Sequence, residues 1–152
     1  MNDHEILNLS IADFGENRNR NSRMISAIEN GLTEYNWSLK PDPSASRLVL
    51  AIESEGAVIA GVLGRSAYGW MRVDVIWVDE SLRGKGHGER LMGEVERIAL
   101  ERACIGVHLD THGFQAPGFY LKLGYEIFGE LPNYPEGESH YYLKKELVDA
   151  GV

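Results

Sequence analysis

A chain of 152 residues and 17.0 kDa is long enough to bury the core of one domain and too short for two, so residues 1–152 are expected to form a single domain. With 43% hydrophobic and 25% charged residues the composition is that of an ordinary globular protein; a formal net charge of −8 and a pI near 5.1 leave no basic stripe for nucleic acid and lean toward a cationic or amine-bearing substrate. The one cysteine, Cys104, excludes an internal disulfide, no apolar run approaches the ~18 residues of a membrane span, and residues 1–20 are polar rather than signal-like, so the expectation is a cytoplasmic protein without a membrane partner.

In chain order, residues 4–11 alternate loosely through Ile6, Leu7, Leu9 and Ile11 and read as a first strand. Residues 17–23 are polar and partly basic, but Ile25, Ile28, Leu32 and Tyr35 follow at helical spacing. This is the solvated start of a helix, capped by Ser22 or Asn17, rather than a nucleic-acid arm. Pro41 and Pro43 close that region, leaving residues 37–46 as a linker. Residues 48–53 and 57–64 are apolar segments around Ser54-Glu55-Gly56, a hairpin signal, and Gly61 and Gly64 inside the second imply a bulge or a close backbone approach. Residues 70–78 form a third strand. On a strict period of two, Asp74 would share a face with Ile76 and Val78.

A helix follows over residues 88–102, with Leu91, Met92, Val95, Ile98 and Ala99 on one buried stripe and i,i+4 pairs Arg90–Glu94 and Arg97–Glu101 facing water. Residues 105–111 are a short β-branched strand. Pro117 suits the first turn of a further helix that Gly124 ends, and residues 125–131 and 140–147 supply two last strands across a turn at residues 132–137.

Between the third strand and the long helix stands Ser81-Leu82-Arg83-Gly84-Lys85-Gly86-His87-Gly88. Three glycines at alternate positions expose backbone N–H groups at a helix N-terminus, where the helix dipole adds partial positive charge. Arg83 and Lys85 add full charges, and such a place suits a phosphate or pyrophosphate. The P-loop pattern fails because Gly84-Lys85 is followed by Gly86 rather than Ser or Thr. The dinucleotide fingerprint fails because its third glycine has no counterpart in this loop.

The loop does carry R-x-x-G-x-G, through Arg83, Gly86 and Gly88, and downstream Ala116, Tyr120, Gly124 and Tyr125 spell A-x-x-x-Y-x-x-x-G-[FY]. Together these motifs resemble the GNAT superfamily of acetyl-CoA-dependent N-acetyltransferases over residues 70–147, while the first half matches in element order only. The resemblance implies a mixed α/β fold: a central sheet of about seven mainly antiparallel strands with flanking helices, and a splayed parallel strand pair that forms the coenzyme A cleft. It implies acetyl-CoA as co-substrate, contacted by Ile76 and Val78 on the strand, by Arg83, Gly84, Lys85, Gly86, His87, Gly88 and Glu89 in the loop, and by Gln115 and Phe119 beyond. The Val78 N–H is the expected donor to the thioester oxygen. Many members bear an Asn a few residues before the motif's alanine; here Thr111 to Gln115 stand instead, and Gln115 is the candidate replacement. Family members often dimerise through C-terminal strands, so a homodimer is a further expectation.

The resemblance gives Tyr120 the role of general acid to the coenzyme A thiolate, its alternative being an aromatic packed at the helix–cofactor boundary. Asp74 is expensive to bury among Val73, Val75, Ile76 and Trp77 unless partnered. It is therefore a candidate base or ammonium ligand, or else one half of an ion pair with Arg72 or Arg65. His112, at the end of its strand, titrates near neutrality and is a second candidate base, though for both His112 and His108 a structural role is the alternative. No histidine, cysteine or carboxylate spacing matches a metal motif. The reading is direct acetyl transfer to the primary amine of a small molecule or a peptide, against two rivals. One is a non-catalytic coenzyme A- or ligand-binding module; the other is a phosphotransferase or dinucleotide enzyme using the same loop.

Overall fold

The computed structural model describes Ile11 and residues 18–147, so most of the first expected strand lies outside the described residues. The chain divides into two compact units at Pro41. The first contains helix α1, Arg18–Leu39; Ser22 is interior to it and so does not cap it, and Asn17, the other expected cap, lies outside the described residues. Tyr35 and Trp37 both belong to this helix, so the linker is shorter than expected.

The second unit is built on six strands among the described residues: β1 (Ser46–Ser54), β2 (Ala57–Ala67), β3 (Trp70–Val78), β4 (Gly106–His112), β5 (Glu126–Pro132) and β6 (Ser139–Glu146). Their order in the sheet is β1-β2-β3-β4-β6-β5, and every neighbouring pair is antiparallel except β3 and β4. Two-residue turns at Glu55-Gly56 and Tyr68-Gly69, each with both residues at positive φ (51° and 79°; 51° and 80°), join the first three strands. That backbone twist matches the twist of a hairpin's strands.

Helix α2, His87–Glu101, lays Leu91, Met92, Val95 and Ala99 onto one face of the sheet, where Met71, Val73, Val107, Leu109 and Leu143 complete the core. Each of these side chains other than Ala99 contributes ~1.5–3 kcal/mol on burial. On the water side Arg97 takes both Glu94 and Glu101. Lys145 reaches Glu96 at 2.8 Å over the Tyr125 ring, tying β6 to α2. The short helix α3, Pro117–Lys122, ends ahead of Gly124, whose φ of 89° only glycine adopts without strain.

Two irregularities position the functional cleft. The parallel pairing of β3 with β4 covers only Trp70↔Gly106, Met71↔Val107 and Arg72↔His108, after which the strands diverge. At that point β3 bulges. Gly64 pairs with Val73 and Leu63 with Val75, leaving Asp74 without a partner across the ladder. The bulge overturns the expected parity. Met71 and Val73 face the helix side before it and Ile76 and Val78 after it, whereas Asp74 is exposed and stands with Arg72. Gly64 is the residue that permits this, because a Cβ there would lie 2.2 Å from the Arg72 carbonyl oxygen.

Candidate functional site

The divergence of β3 and β4 opens a cleft of about 1050 Å³. One wall is β3 from Asp74 to Val78; another is the loop with Leu82, Arg83, Gly84, Gly86, His87, Gly88 and Glu89. The remainder comes from the end of β4, residues 114–116, Phe119, Tyr120 and His140. The residues expected from the sequence to hold cofactor or do chemistry line this cleft, except Lys85 and His108.

The loop is shaped by local hydrogen bonds. Asp79 accepts from the Ser81 N–H at 3.0 Å and from its hydroxyl at 2.5 Å, starting a 3-10 turn over Glu80–Leu82. Those bonds hold the Asp79 carboxyl below the usual carboxylate range. Gly84 and Gly86 then take φ of 73° and 84°, and Gly86 caps α2. The first N–H to return into the helix is that of Arg90, which donates to the Gly86 carbonyl at 3.0 Å. The N–H groups of His87, Gly88 and Glu89 therefore have no acceptor within the helix and stand ready for an anion. Nothing lies within 4 Å of where a Gly86 Cβ would be, whereas a Gly88 Cβ would come within 3.2 Å of the Phe119 ring. Phe119 thus seats directly on the helix start and, at 5.0 Å edge-to-face, against Tyr120.

Along β3 the hydrogen-bond alternation matters. The Asp79 N–H donates to Ile59 at 2.9 Å, so Asp79 and Trp77 turn their amides toward β2. Ile76 and Val78 turn theirs to the opposite edge, the one β4 has left. On that edge the Val78 carbonyl accepts from Arg83 Nε at 3.1 Å, while the Val78 N–H faces the cleft side. Such an edge can pair with an extended amide-bearing chain, and a pyrophosphate at its end would meet the loop.

Tyr120 is 6% exposed, and burial first, then the negative charge of Asp110, push its phenol up to about 12. It stays protonated across the physiological range, the state in which a phenol can donate. Gln115 is less free than expected: its Oε1 accepts from the His112 N–H at 2.9 Å and the Thr111 hydroxyl at 3.1 Å, closing the end of β4. Its amide nitrogen remains for a cofactor. Asp74 sits 2.8 Å from Arg72 Nε with its side chain 39% exposed, which is the ion pair weighed against a catalytic role.

Asp110 and His140 are the site residues that sequence reasoning missed. On β4, Val107, Leu109 and Thr111 face α2, while His108, Asp110 and His112 alternate onto the other face. There β6 brings His140 opposite His112, and His140 Nε2 donates to Asp110 Oδ2 at 2.8 Å although His140 is 6% exposed. The i,i+2 polar spacing in β4 was visible; the partner strand was not. His108 packs edge-on to Trp70, and burial first, then Arg72, lower its pKa. Among the described residues no group of three histidine, cysteine or carboxylate side chains could hold a metal, and no helix is long and apolar enough to cross a membrane.

A glycine loop on a helix start, an open amide edge beside it and a buried phenol between them make a site for a pyrophosphate-bearing acyl carrier. The model of the acetyltransferase (GNAT) family matches residues 5–125. The chain belongs to the GNAT family of acetyltransferases. Among relatives, it is 41% identical over 98 residues to a blasticidin-S acetyltransferase of Streptomyces morookaense, covering 64% of this chain and 72% of that one. Among solved structures, an acetyltransferase from Bacillus cereus superposes with a TM-score of 0.75 at 31% identity, over 91% of this chain and 98% of the other. An acetyltransferase from Agrobacterium tumefaciens gives 0.80 at 27% identity, over 92% and 99%. As a GNAT enzyme the protein binds acetyl-CoA and transfers its acetyl group to an amine.

Proposed function

We propose that this GNAT enzyme acetylates a small cationic amine that enters from the sheet face opposite α2. The observation that carries the proposal is a pair of carboxylates on that face, Asp74 and Asp110, both lining the cleft where the strands part. Arg72 lies 2.8 Å from the first and 4.0 Å from the second, so one guanidinium is shared between two acids and net negative charge remains for an incoming ammonium. The likeness to the Streptomyces morookaense protein supports a small molecule of the kind its name gives.

On this reading the pyrophosphate of acetyl-CoA rests on the His87, Gly88 and Glu89 N–H groups, with Arg83 beside it. The pantetheine arm pairs along Ile76 and Val78, with the Gln115 amide and Phe119 on its other side. The Val78 N–H then donates to the thioester oxygen, a contact of a kind worth ~2.7–4 kcal/mol in the transition state. Tyr120 lends its proton to the departing thiolate. Asp74 holds the ammonium rather than deprotonating it, because its carboxylate is already engaged by Arg72 Nε at 2.8 Å. Since the family match crosses Pro41, we read residues 1–152 as one working domain.

Thiol release from acetyl-CoA, measured with blasticidin S, simple diamines and an N-terminal peptide as acceptors, tests the proposal. Turnover with a mono-acetylated small amine is expected; turnover confined to the peptide would overturn it.

A further inference from the structure

Beside the carboxylates the cleft is closed by a string of hydrogen-bonded polar groups that cofactor binding does not use. His140 Nε2 lies 2.8 Å from Asp110 Oδ2, His140 Nδ1 lies 3.1 Å from His112 Nδ1, and His112 Nδ1 lies 3.1 Å from the Tyr134 carbonyl oxygen. A carbonyl only accepts, so the proton of a neutral His112 sits on Nδ1. The same proton faces the His140 Nδ1 lone pair, which puts the His140 proton on Nε2, donating to Asp110. One assignment satisfies all three contacts, and it leaves His112 Nε2 with a bare lone pair on a ring that lines the cleft.

From this geometry we infer that His112 is the general base for the acceptor amine, with His140 and Asp110 as residues that position it and carry its charge. The inference rests on the acetyltransferase reading above. His112 Nε2 takes one proton from the ammonium. The resulting imidazolium then has the His140 lone pair and the Asp110 carboxylate behind it, in an alignment that also lets the proton pass from His112 Nδ1 to His140 Nδ1. As the neutral amine forms its C–N bond to the acetyl carbon, the C–S bond breaks and Tyr120 gives the sulfur a proton. The second proton lost by nitrogen restores Tyr120, so one proton per turnover leaves through the histidines.

The ring is held for this task. Phe114 stacks on His112 at 5.0 Å with planes 10° apart, and Tyr134 and His140 stand edge-on at 5.0 and 4.3 Å. The charged and titratable groups around the string are Arg72 and Asp74 from β3, His108 on the same face of β4 as Asp110, Tyr120 from α3, Tyr134 and Tyr142 beside His140, and Glu138 near Gly113.

Two measurements on the full chain decide the matter. Nitrogen-15 NMR of the ring nitrogens at pH 8 is expected to find His112 in the Nδ1–H form and His140 in the Nε2–H form. The opposite tautomer at either ring would overturn the inference, whatever the activity. In the acetylation assay, His112→Gln should lose ~10²–10⁴-fold in kcat/KM. It should also lose the rate's rise through neutral pH while keeping its acetyl-CoA Kd; an unchanged pH profile would overturn the base. Asp110→Asn should move that rise to lower pH, the shift a carboxylate behind an imidazolium requires. Absence of transfer by the wild type with any amine would sink the acetyltransferase reading and leave the tautomer result to judge the string.

Discussion

Gly64 is where one hydrogen atom decides the geometry of the cleft. A methyl group on it would lie 2.2 Å from the Arg72 carbonyl oxygen, 3.3 Å from that carbonyl's carbon and 3.4 Å from the Val73 Cα. Carbon–oxygen contacts are comfortable only from ~3.3 Å outward, so about 1 Å of rigid backbone has to move. Overpacking ordinarily costs ~1–3 kcal/mol, and here no flexible side chain can yield, which places Gly64→Ala at about 3 kcal/mol. Sliding the register is no escape, since a shift by one residue would turn Ile76 and Val78 away from the core.

With a urea m-value near ~2 kcal/mol/M, the unfolding midpoint should drop by about 1.5 M. Acetyl-CoA should bind at least about tenfold more weakly, equivalent to ~1.4 kcal/mol, because the amide edge at Ile76 and Val78 is displaced with the bulge. Urea titration by circular dichroism and calorimetric titration with acetyl-CoA measure the two. Gly93→Ala is the control: it lies exposed within α2 with nothing within 4 Å and should gain ~0.5–1 kcal/mol. If Gly64→Ala unfolds within about 0.3 M of the parent and binds acetyl-CoA equally well, the bulge does not shape the cleft.

Three further outcomes are expected. Gly86→Glu sets a carboxylate at the anion site and a side chain at φ of 84°, so acetyl-CoA binding should vanish while NAD and ATP remain non-binders; retained affinity would remove the loop from the site. Tyr120→Phe should lower kcat much more than it weakens acetyl-CoA binding, and an unaltered kcat at every pH would leave the tyrosine a packing residue. Burial raises the Tyr120 phenol from 10 to about 12, so the unfolded state loses its proton first as pH rises. The ~2–3 kcal/mol so linked is present in full below pH 10 and lost as pH climbs through about 12. Urea midpoints between pH 9 and 12 should fall less steeply for Tyr120→Phe than for the parent, and parallel curves would contradict the shift.

Much of this site was legible because its signals are local. Arg83, Gly84, Gly86 and Gly88 act through backbone conformation and charge within one loop, which the order of residues determines by itself. Tyr120 and Phe119 follow from a helix whose start and end are marked by Pro117 and Gly124. The hairpin at Glu55-Gly56 and the buried stripe of α2 are likewise settled over short stretches by turn chemistry and a 3.6-residue period. Gly64 announced a close approach, but not what approached it.

What the chain order left open depends on partners far away along it. A strict period of two puts Asp74 on the wrong face, since the bulge that re-aims it arises from the pairing of β3 with β2 and the steric room at Gly64. Nor could Asp110, His112 and His140 be joined, because 28 residues separate the two histidines and only the insertion of β6 beside β4 brings them to 3.1 Å. The splay itself belongs to no residue; it appears when two parallel strands stop pairing after three rows. Sequence by itself determined the glycine loop at the start of α2, the placing of Tyr120 on a short helix and the core-forming periods, all consequences of near-neighbour chemistry. Tertiary structure alone decided which carboxylates and histidines meet at the open edge, because a contact between strands exists only once loop closure has brought them into register.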